Sequence, residues 1–207
     1  MKEHFGSIGQ HADTVVLATL NRNKWKDKLI VCDLTGSMMP YAAQLSLWYT
    51  LNFVKEKKLQ FVFFNDGDNK SDQDKVIGST GGIYYSHSNG IEKFNQLTAE
   101  VSSRGNGGDC AENNMEALIE GTKQAADFEE LIMIADNNAP VKDIQLLSKF
   151  TVPVRIIMCG VRNSIHPDYL NIAWKTGGSI HTIEEDIDSI AGMLEGESLK
   201  IGGNTYK

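Results

Sequence analysis

The 207-residue sequence predicts an α/β fold, with a doubly wound, mostly parallel central sheet of about six strands and helices on both faces. Two observations predict this class. The first is a set of short, near-continuous apolar runs, which are typical of strands buried on both faces, as in a parallel sheet. The second is that segments of helical periodicity alternate with these runs along the chain, which is the order of a parallel α/β protein.

Six segments are predicted to be strands. Four are the near-continuous apolar runs, and two are shorter segments of β-branched and aromatic residues. In chain order the predicted strands cover residues 29–32, 61–64, 83–85, 131–135, 154–159 and 179–182.

Helices are predicted between and after these strands. The first ends in a basic turn that favours a helix C-terminus, and the second begins at Asn89 as its cap, with Glu92 three residues on. Another is bracketed by Pro167 near its start and Gly177 past its end, the order that helix ends favour. Apart from the helix between Pro167 and Gly177, the predicted helices cover residues 41–57, 89–103, 112–126, 141–150 and 184–194.

The chain is predicted to form one domain. Its length suits a single domain with an ample core, and it contains neither a domain-length repeat nor a linker. We assign residues 28–195 to this domain, 1–27 to an N-terminal extension that packs on it, and 196–207 to a C-terminal hairpin. The second strand of that hairpin has barely begun at Tyr206, so we expect a truncated hairpin.

The composition excludes several classes of partner. The formal net charge is -7, and because nucleic-acid backbones are bound by basic surfaces, no nucleic-acid partner is expected. No apolar run approaches the roughly 20 residues that cross a bilayer, so no transmembrane segment is expected. The first residues also lack the apolar core of a signal peptide.

The cysteines bear on location. Cys32, Cys110 and Cys159 match no zinc pattern, and an odd number argues against a disulfide framework, so we expect three free thiols. Free thiols and the lack of a signal peptide favour a cytoplasmic location. Export of a chain whose signal has been removed is the alternative.

Two aspartates each end an apolar strand directly. Asp33 follows the first run and Asp136 the fourth predicted strand. The carboxyl ends of parallel strands line the crevice where strand order reverses, and carboxylates side by side there are costly unless a cation neutralises them. Thr35 and Ser37 add hydroxyl oxygens in the turn after Asp33. Carboxylate and hydroxyl oxygens suit Mg²⁺ rather than zinc, with Mn²⁺ or Ca²⁺ as alternatives.

The segment Val31-Cys32-Asp33-Leu34-Thr35-Gly36-Ser37-Met38 resembles the first element of the metal-ion-dependent adhesion site of von Willebrand factor type A domains, in its Asp-x-Thr-x-Ser form. Gly107-Gly108-Asp109 stands where that family has a Gly-Gly-Thr loop before a helix, and it also resembles a Gly-Gly-Asp-x-x-Glu loop of bacterial members. Ile134-Ala135-Asp136 matches the family's aspartate at the end of the fourth strand. The resemblance covers about residues 28–195.

The resemblance implies direct contact of the metal with Ser37 and with Asp33, Thr35 or Asp109, and a direct or water-mediated bond from Asp136. Asp109 departs from the family's threonine. With a divalent cation, three carboxylates leave about one net negative charge, so we expect a preference for a neutral or basic ligand group, or a chiefly structural ion. The alternative is that Asp109 caps the next helix, with Glu112 completing a capping box.

Two further segments have simpler interpretations. Thr35 or Ser37 could act only as a helix N-cap ahead of Pro40, although this leaves Asp33 and Asp136 unexplained. The acidic segment 66–74 fails the spacing of an EF-hand, so a solvated acidic turn is expected there.

The resemblance implies a binding module, in which the metal recognises a protein or peptide ligand. No catalytic motif is recognised: the chain lacks a Gly-x-Ser-x-Gly elbow, a phosphate-cradling Gly-x-x-x-x-Gly-Lys-Ser/Thr loop and the second aspartate of haloacid dehalogenase-type enzymes. We therefore do not expect an enzyme. The alternatives are a Mg²⁺-dependent hydrolase or phosphoryl-transfer enzyme, and a scaffold whose metal is purely structural or absent.

Overall fold

A computed structural model of the chain describes residues 13–56, 58–86, 90–105, 107–108, 110–193, 195–201 and 203–206. The strands are β1 (Lys28–Asp33), β2 (Gln60–Phe64), β3 (Ile83–Ser86), β4 (Glu130–Asp136), β5 (Val154–Cys159), β6 (Ser179–His181), β7 (Asp186–Ile187), β8 (Leu199–Ile201) and β9 (Asn204–Tyr206). The α-helices are α1 (Val15–Arg22), α2 (Met39–Asn52), α3 (Ile91–Arg104), α4 (Asn114–Gln124) and α5 (Pro167–Thr176). Short 3₁₀ turns lie at Gly36–Met38, Asp72–Asp74, Ile144–Lys149 and Ser189–Gly192.

The central sheet has seven strands in the order β3-β2-β1-β4-β5-β6-β7. The five inner strands pair in parallel, and the edge strands β3 and β7 pair antiparallel to their neighbours. The prediction of an α/β fold with a mostly parallel sheet is confirmed, and each of the six predicted strands occurs. The seventh, β7, was not predicted.

Successive residues of the inner strands belong to two different hydrophobic clusters. Leu29 and Val31 of β1 lie in a cluster with buried residues of α4 and α5, whereas Ile30 and Cys32 lie in a cluster with buried residues of α1, α2 and α3. This alternation explains the continuous apolar runs, because side chains on both sides of each strand are removed from water. It also leaves the strand ends as the place where polar groups can gather.

The segment 184–194 was predicted to be a helix, and this is wrong for the described residues. It forms β7 and a 3₁₀ turn instead. Ile187 pairs with Ile180, and Asp186 pairs with His181 and accepts hydrogen bonds from Arg22. The pairing with β6 and the long-range contact with Arg22 outweigh the local helical pattern.

Other boundaries differ by smaller amounts. The segment 141–150 contains a 3₁₀ turn rather than an α-helix, and α4 begins at Asn114 rather than at 112. The predicted cap Asn89 lies outside the described residues, and α3 begins after Gly90. The C-terminal hairpin occurs as β8 and β9, and Tyr206 accepts a hydrogen bond from the backbone of Ile165 through its hydroxyl at 2.7 Å.

All three cysteines are unpaired, and Cys32 and Cys159 are buried. In the described part of the chain, no helix is long and apolar enough to cross a membrane.

Helix α1, which was not predicted, packs on the domain through Val15, Val16 and Leu20. Its C-terminal end is held by Arg22, whose guanidinium forms two hydrogen bonds of 2.9 and 2.6 Å with the carboxylate of Asp186. Burial raises the pKa of Asp186, but hydrogen bonds from Arg22, His181 and Asn23 outweigh it and hold the pKa at about 2. The ionised carboxylate therefore joins α1 to the sheet edge.

We expect Asp186→Asn to lower the free energy of unfolding by about 1–2 kcal/mol at pH 7, because it removes a bidentate charged pair. A carboxylate with a depressed pKa stabilises the fold above its unfolded pKa, 3.8, and this stabilisation is lost as the pH falls through about 2. Urea denaturation of variant and wild type should therefore converge between pH 4 and 2. Asp188→Asn is the control, since its side chain is 69% exposed and 3.9 Å from Arg155; an equal effect of both substitutions would contradict the account.

Candidate metal centre

Asp33 and Asp136 end neighbouring strands. They are the last residues of β1 and β4, which pair in parallel with Cys32 opposite Ile134. The chain moves from β1 to β2 and β3 on one side and returns on the other side of β1 with β4, so strand order reverses between these two strands. The predicted placement of both carboxylates at this switch point is therefore found in the structure.

The carboxylate of Asp33 is fully buried. Its Oδ1 accepts a hydrogen bond of 2.7 Å from the backbone amide of Thr35, but its Oδ2 has no hydrogen-bond partner among the described residues. Burial raises the pKa of Asp33 to about 7, against the backbone hydrogen bond and the nearby hydroxyl group of Thr35, and the charges of Asp136 and Asp66 raise it further. When the carboxyl group is ionised, the described residues thus compensate its charge only in part.

The turn after β1 presents two hydroxyl groups. Thr35 is 2% exposed, precedes the 3₁₀ turn Gly36–Met38 and makes no capping hydrogen bond with its side chain, and its Oγ1 has no hydrogen-bond partner in the described part of the protein. Helix α2 likewise starts without a side-chain cap, with Pro40 in its first turn. The helix-cap interpretation is therefore wrong for Thr35. Ser37 is exposed, so the edge is open to solvent at this residue.

Asp136 is oriented by its own turn. Its Oδ1 accepts hydrogen bonds from the backbone amide and the side-chain amide of Asn138, at 2.8 and 2.9 Å. The residue is buried. One oxygen is thus fixed by Asn138, an arrangement that holds the carboxylate in place for contact through a second oxygen or a bridging water.

Asp109, the fifth predicted ligand, lies outside the described residues. The loop around it is tied to the turn after β4: Glu112 donates its amide to Pro140, and Lys142 donates its amide to Glu112, at 3.1 and 2.9 Å. The first amides of α4, those of Met115 and Glu116, are bound by the carboxylate of Asp143 at 3.0 and 2.6 Å. Asp143 therefore performs part of the capping that the sequence pattern assigned to residue 109.

Asp66 is the functional candidate that sequence analysis missed. The segment 66–74 was predicted to be a solvated acidic turn, which holds for the exposed Asp72 and Asp74 but is wrong for Asp66, which is fully buried just after β2. Its Oδ2 accepts hydrogen bonds from Lys75 and Lys142, at 2.7 and 2.5 Å. The only sequence signal was its position directly after a buried strand, and the acidic residues around it obscured that signal.

Buried oxygens without partners concentrate at this edge of the sheet. Five side-chain oxygens have no hydrogen-bond partner among the described residues: Asp33 Oδ2, Thr35 Oγ1, Asp66 Oδ1, Asn113 Oδ1 and Asn114 Oδ1. Each belongs to the residues that follow β1 or β2, or to the start of α4. Buried polar atoms without partners are rare and costly, and they mark places where an ion, a ligand or water completes the structure.

These five oxygens suit a hard divalent cation, because Mg²⁺ and Ca²⁺ take carboxylate, hydroxyl and amide oxygens as ligands. Within the described ranges, no three acidic, histidine or cysteine side chains converge into a ligand cluster by themselves. A cation at this edge would therefore depend on hydroxyl groups and water as well as on carboxylates. This dependence is the expected behaviour of Mg²⁺, which keeps several waters when bound to protein.

Comparison with models of known protein families gave no match, and neither did a search of curated proteins. The function of the chain is therefore inferred from the geometry and chemistry of this edge.

We expect Asp33→Asn to stabilise the metal-free protein by on the order of 2 kcal/mol at pH 8. The amide keeps an acceptor for the backbone of Thr35 and removes the buried charge. A carboxyl group whose folded pKa is raised from 3.8 to about 7 contributes stability below pH 4 that is lost as the pH rises through 7. Wild type should therefore lose stability relative to the variant between pH 4 and 7, measured by urea denaturation in EDTA.

The matched control for this prediction is Asp127→Asn, an exposed position before β4 at the opposite edge of the sheet. Its free energy of unfolding should stay within about 0.5 kcal/mol of wild type at each pH. If the difference in the free energy of unfolding between wild type and Asp33→Asn does not change with pH, then folding does not raise the pKa of Asp33 and the account is contradicted.

Proposed function

We propose that the chain is a von Willebrand factor type A-like domain that binds a protein or peptide ligand through a divalent cation at the carboxyl edge of its sheet. The observation that carries the proposal is a pair of buried oxygens, Asp33 Oδ2 and Thr35 Oγ1, which have no hydrogen-bond partner among the described residues and lie where strand order reverses. They belong to the Asp-x-Thr-x-Ser segment that resembles the adhesion site of that family.

The architecture supports the same proposal. A sheet ordered β3-β2-β1-β4-β5-β6-β7, with one antiparallel strand beside β2 and hydrophobic clusters on two sides, is consistent with a doubly wound, Rossmann-like domain. We propose that residues 28–195 form this domain, with 1–27 as an extension packed on it and 196–207 as the C-terminal hairpin. In such folds ligands bind outside the carboxyl ends of the strands.

The residues proposed to hold the cation are Asp33, Thr35, Ser37, Asp109 and Asp136, and Mg²⁺ is the first choice of ion, ahead of Mn²⁺ and Ca²⁺. When bound, the cation supplies an electrophilic coordination position for an oxygen of the partner. The chain's own residues orient that position: Thr35 fixes the carboxylate of Asp33, and Asn138 fixes that of Asp136. The exposure of Ser37 favours a cation that a partner can reach over a purely structural one.

The cation site is tested by isothermal titration of EDTA-treated, desalted protein with Mg²⁺, Mn²⁺ and Ca²⁺. We expect one saturable site in the wild type and its loss, by at least roughly a hundredfold in affinity, in Asp33→Ala/Ser37→Ala, because the variant lacks two of the proposed ligands. The control, Asp127→Ala/Ser148→Ala, changes exposed residues of the same types and should bind as wild type does. Folded wild type that binds none of the three ions would overturn the proposal.

The binding function is tested by selecting displayed peptides on the Mg²⁺-loaded protein, eluting them at low pH, and then measuring their binding with and without EDTA. We expect enriched peptides whose binding is lost in EDTA and in Asp33→Ala/Ser37→Ala but kept in the control variant. If metal binding is intact but EDTA has no effect on any selected peptide, the cation is structural and the recognition role is wrong.

A further inference from the structure

Asp66 extends the candidate cation site to a third strand. It follows β2, the neighbour of β1 on the side away from β4, and the amide of Leu34 donates to the carbonyl oxygen of Phe64 at 2.8 Å. The loops after β1 and β2 therefore leave the sheet side by side. Asp66 adopts a φ of 57°, a left-handed conformation that is uncommon outside glycine and asparagine-like residues and that is held here by its buried contacts.

Gly107 shows that Thr35 and Asp66 face the same space. A side-chain carbon added at Gly107 would lie 3.5 Å from Cγ2 of Thr35 and 3.7 Å from Cβ of Asp66. The backbone amide of Thr35 donates to Asp33 Oδ1 at 2.7 Å, which ties Asp33 to the same loop. The three residues thus lie in one region of the rim.

The two oxygens of Asp66 have different surroundings. Oδ2 accepts from Nζ of Lys75 and of Lys142, whereas Oδ1 has no hydrogen-bond partner among the described residues. The side chain of Lys75 is 2% exposed and that of Lys142 is 14% exposed, so both ammonium groups act where water screens them little. One carboxylate oxygen is thus paired with two lysine ammonium groups, and the other has no hydrogen-bond partner in the described part of the chain.

We propose that Asp66 is an additional carboxylate of the divalent-cation site, and that Lys75 and Lys142 are built-in counter-charges that set how tightly the site holds its cation. This inference rests on the proposed cation site. The lysines hold Asp66 at the rim in the metal-free protein, and their positive charges oppose the arrival of a divalent cation. The site is thereby tuned to weak, exchangeable binding rather than to permanent occupancy.

The ion pairs at this edge are consistent with this arrangement. Lys75 Nζ lies 2.7 Å from Asp66 and 3.0 Å from Asp72, and Lys142 Nζ lies 2.5 Å from Asp66. The two ammonium groups thus offset part of the negative charge of the carboxylates. Without the lysines the site would attract a cation more strongly, but Asp66 would be a second buried carboxylate without a counter-charge.

The experiment is titration of the metal-free protein with Mn²⁺ alone. Lys142→Met keeps most of the length and the apolar packing of the side chain and removes its charge. It should tighten Mn²⁺ binding on the order of tenfold, since a nearby like charge is removed. Asp66→Asn should weaken binding by a similar factor. The control is Lys149→Met, an exposed lysine at the end of the Ile144–Lys149 turn, which should leave the affinity unchanged.

The outcomes separate this inference from the proposed function. Wild type that binds Mn²⁺ with unchanged affinity in both Asp66→Asn and Lys142→Met overturns the inference and leaves the cation site standing. Wild type that does not bind while Lys142→Met does would show that the lysine excludes the cation, which overturns both the weak, exchangeable binding proposed for Asp66 and the cation-dependent function. If neither protein binds, both are wrong.

Folding is checked for each variant by circular dichroism and thermal unfolding. Should Asp66→Asn fail to fold, Lys142→Met and Lys75→Met carry the test. The inference then requires tighter Mn²⁺ binding in both lysine variants, and an unchanged affinity in both would overturn it.

Discussion

The candidate site depends on one constraint: the carboxylate of Asp33, at the end of β1, is buried without a counter-charge among the described residues. Asp33 is removed from water, and among the described residues no ion pair reaches it. Ionising such a group costs several kcal/mol unless a cation or strong hydrogen bonds compensate for the lost hydration. The strand order places two more buried carboxylates at the same edge, Asp136 at the end of β4 and Asp66 after β2. The described residues therefore compensate the negative charge at this edge only in part.

The carboxylates of Asp66 and Asp33 are compensated in different ways. Asp66 is paired with two lysines, whereas Asp33 accepts one backbone hydrogen bond and keeps one oxygen without a partner among the described residues. A fold under selection for stability alone would favour a neutral side chain at position 33. Retained local destabilisation of this kind is typical of functional sites, where stability is exchanged for the ability to bind.

Much of the fold could be predicted from the sequence because its strands are buried on both sides. Continuous apolar runs located β1, β2, β4 and β5, and the aspartates that end two of them were placed at the correct edge. The segment 184–194 could not be predicted, because its local pattern favours a helix while pairing with β6 and the contact with Arg22 decide its structure. Helix α1 was missed for a similar reason, since its burial depends on packing against α2.

The candidate site was predictable only where a residue's local position determined its environment. Asp33 and Asp136 are the last residues of strands and Thr35 comes two residues after one, so the sheet fixed their placement. Asp66 stands in an acidic, glycine-containing turn, and such turns are usually solvated. Its burial depends on Lys75 and on Lys142, which is 76 residues away. A single sequence does not display a pairing over that distance.

The most direct test of the central claim is to locate the cation. Crystals of the wild-type protein soaked in Mn²⁺ should give an anomalous difference peak at the carboxyl edge, within direct bonding distance of Asp33 Oδ2 and Thr35 Oγ1. Crystals of Asp33→Ala/Ser37→Ala should lack that peak. A folded wild-type protein with no Mn²⁺ at this edge, or with the unpartnered oxygens bound only by ordered water, would contradict the account.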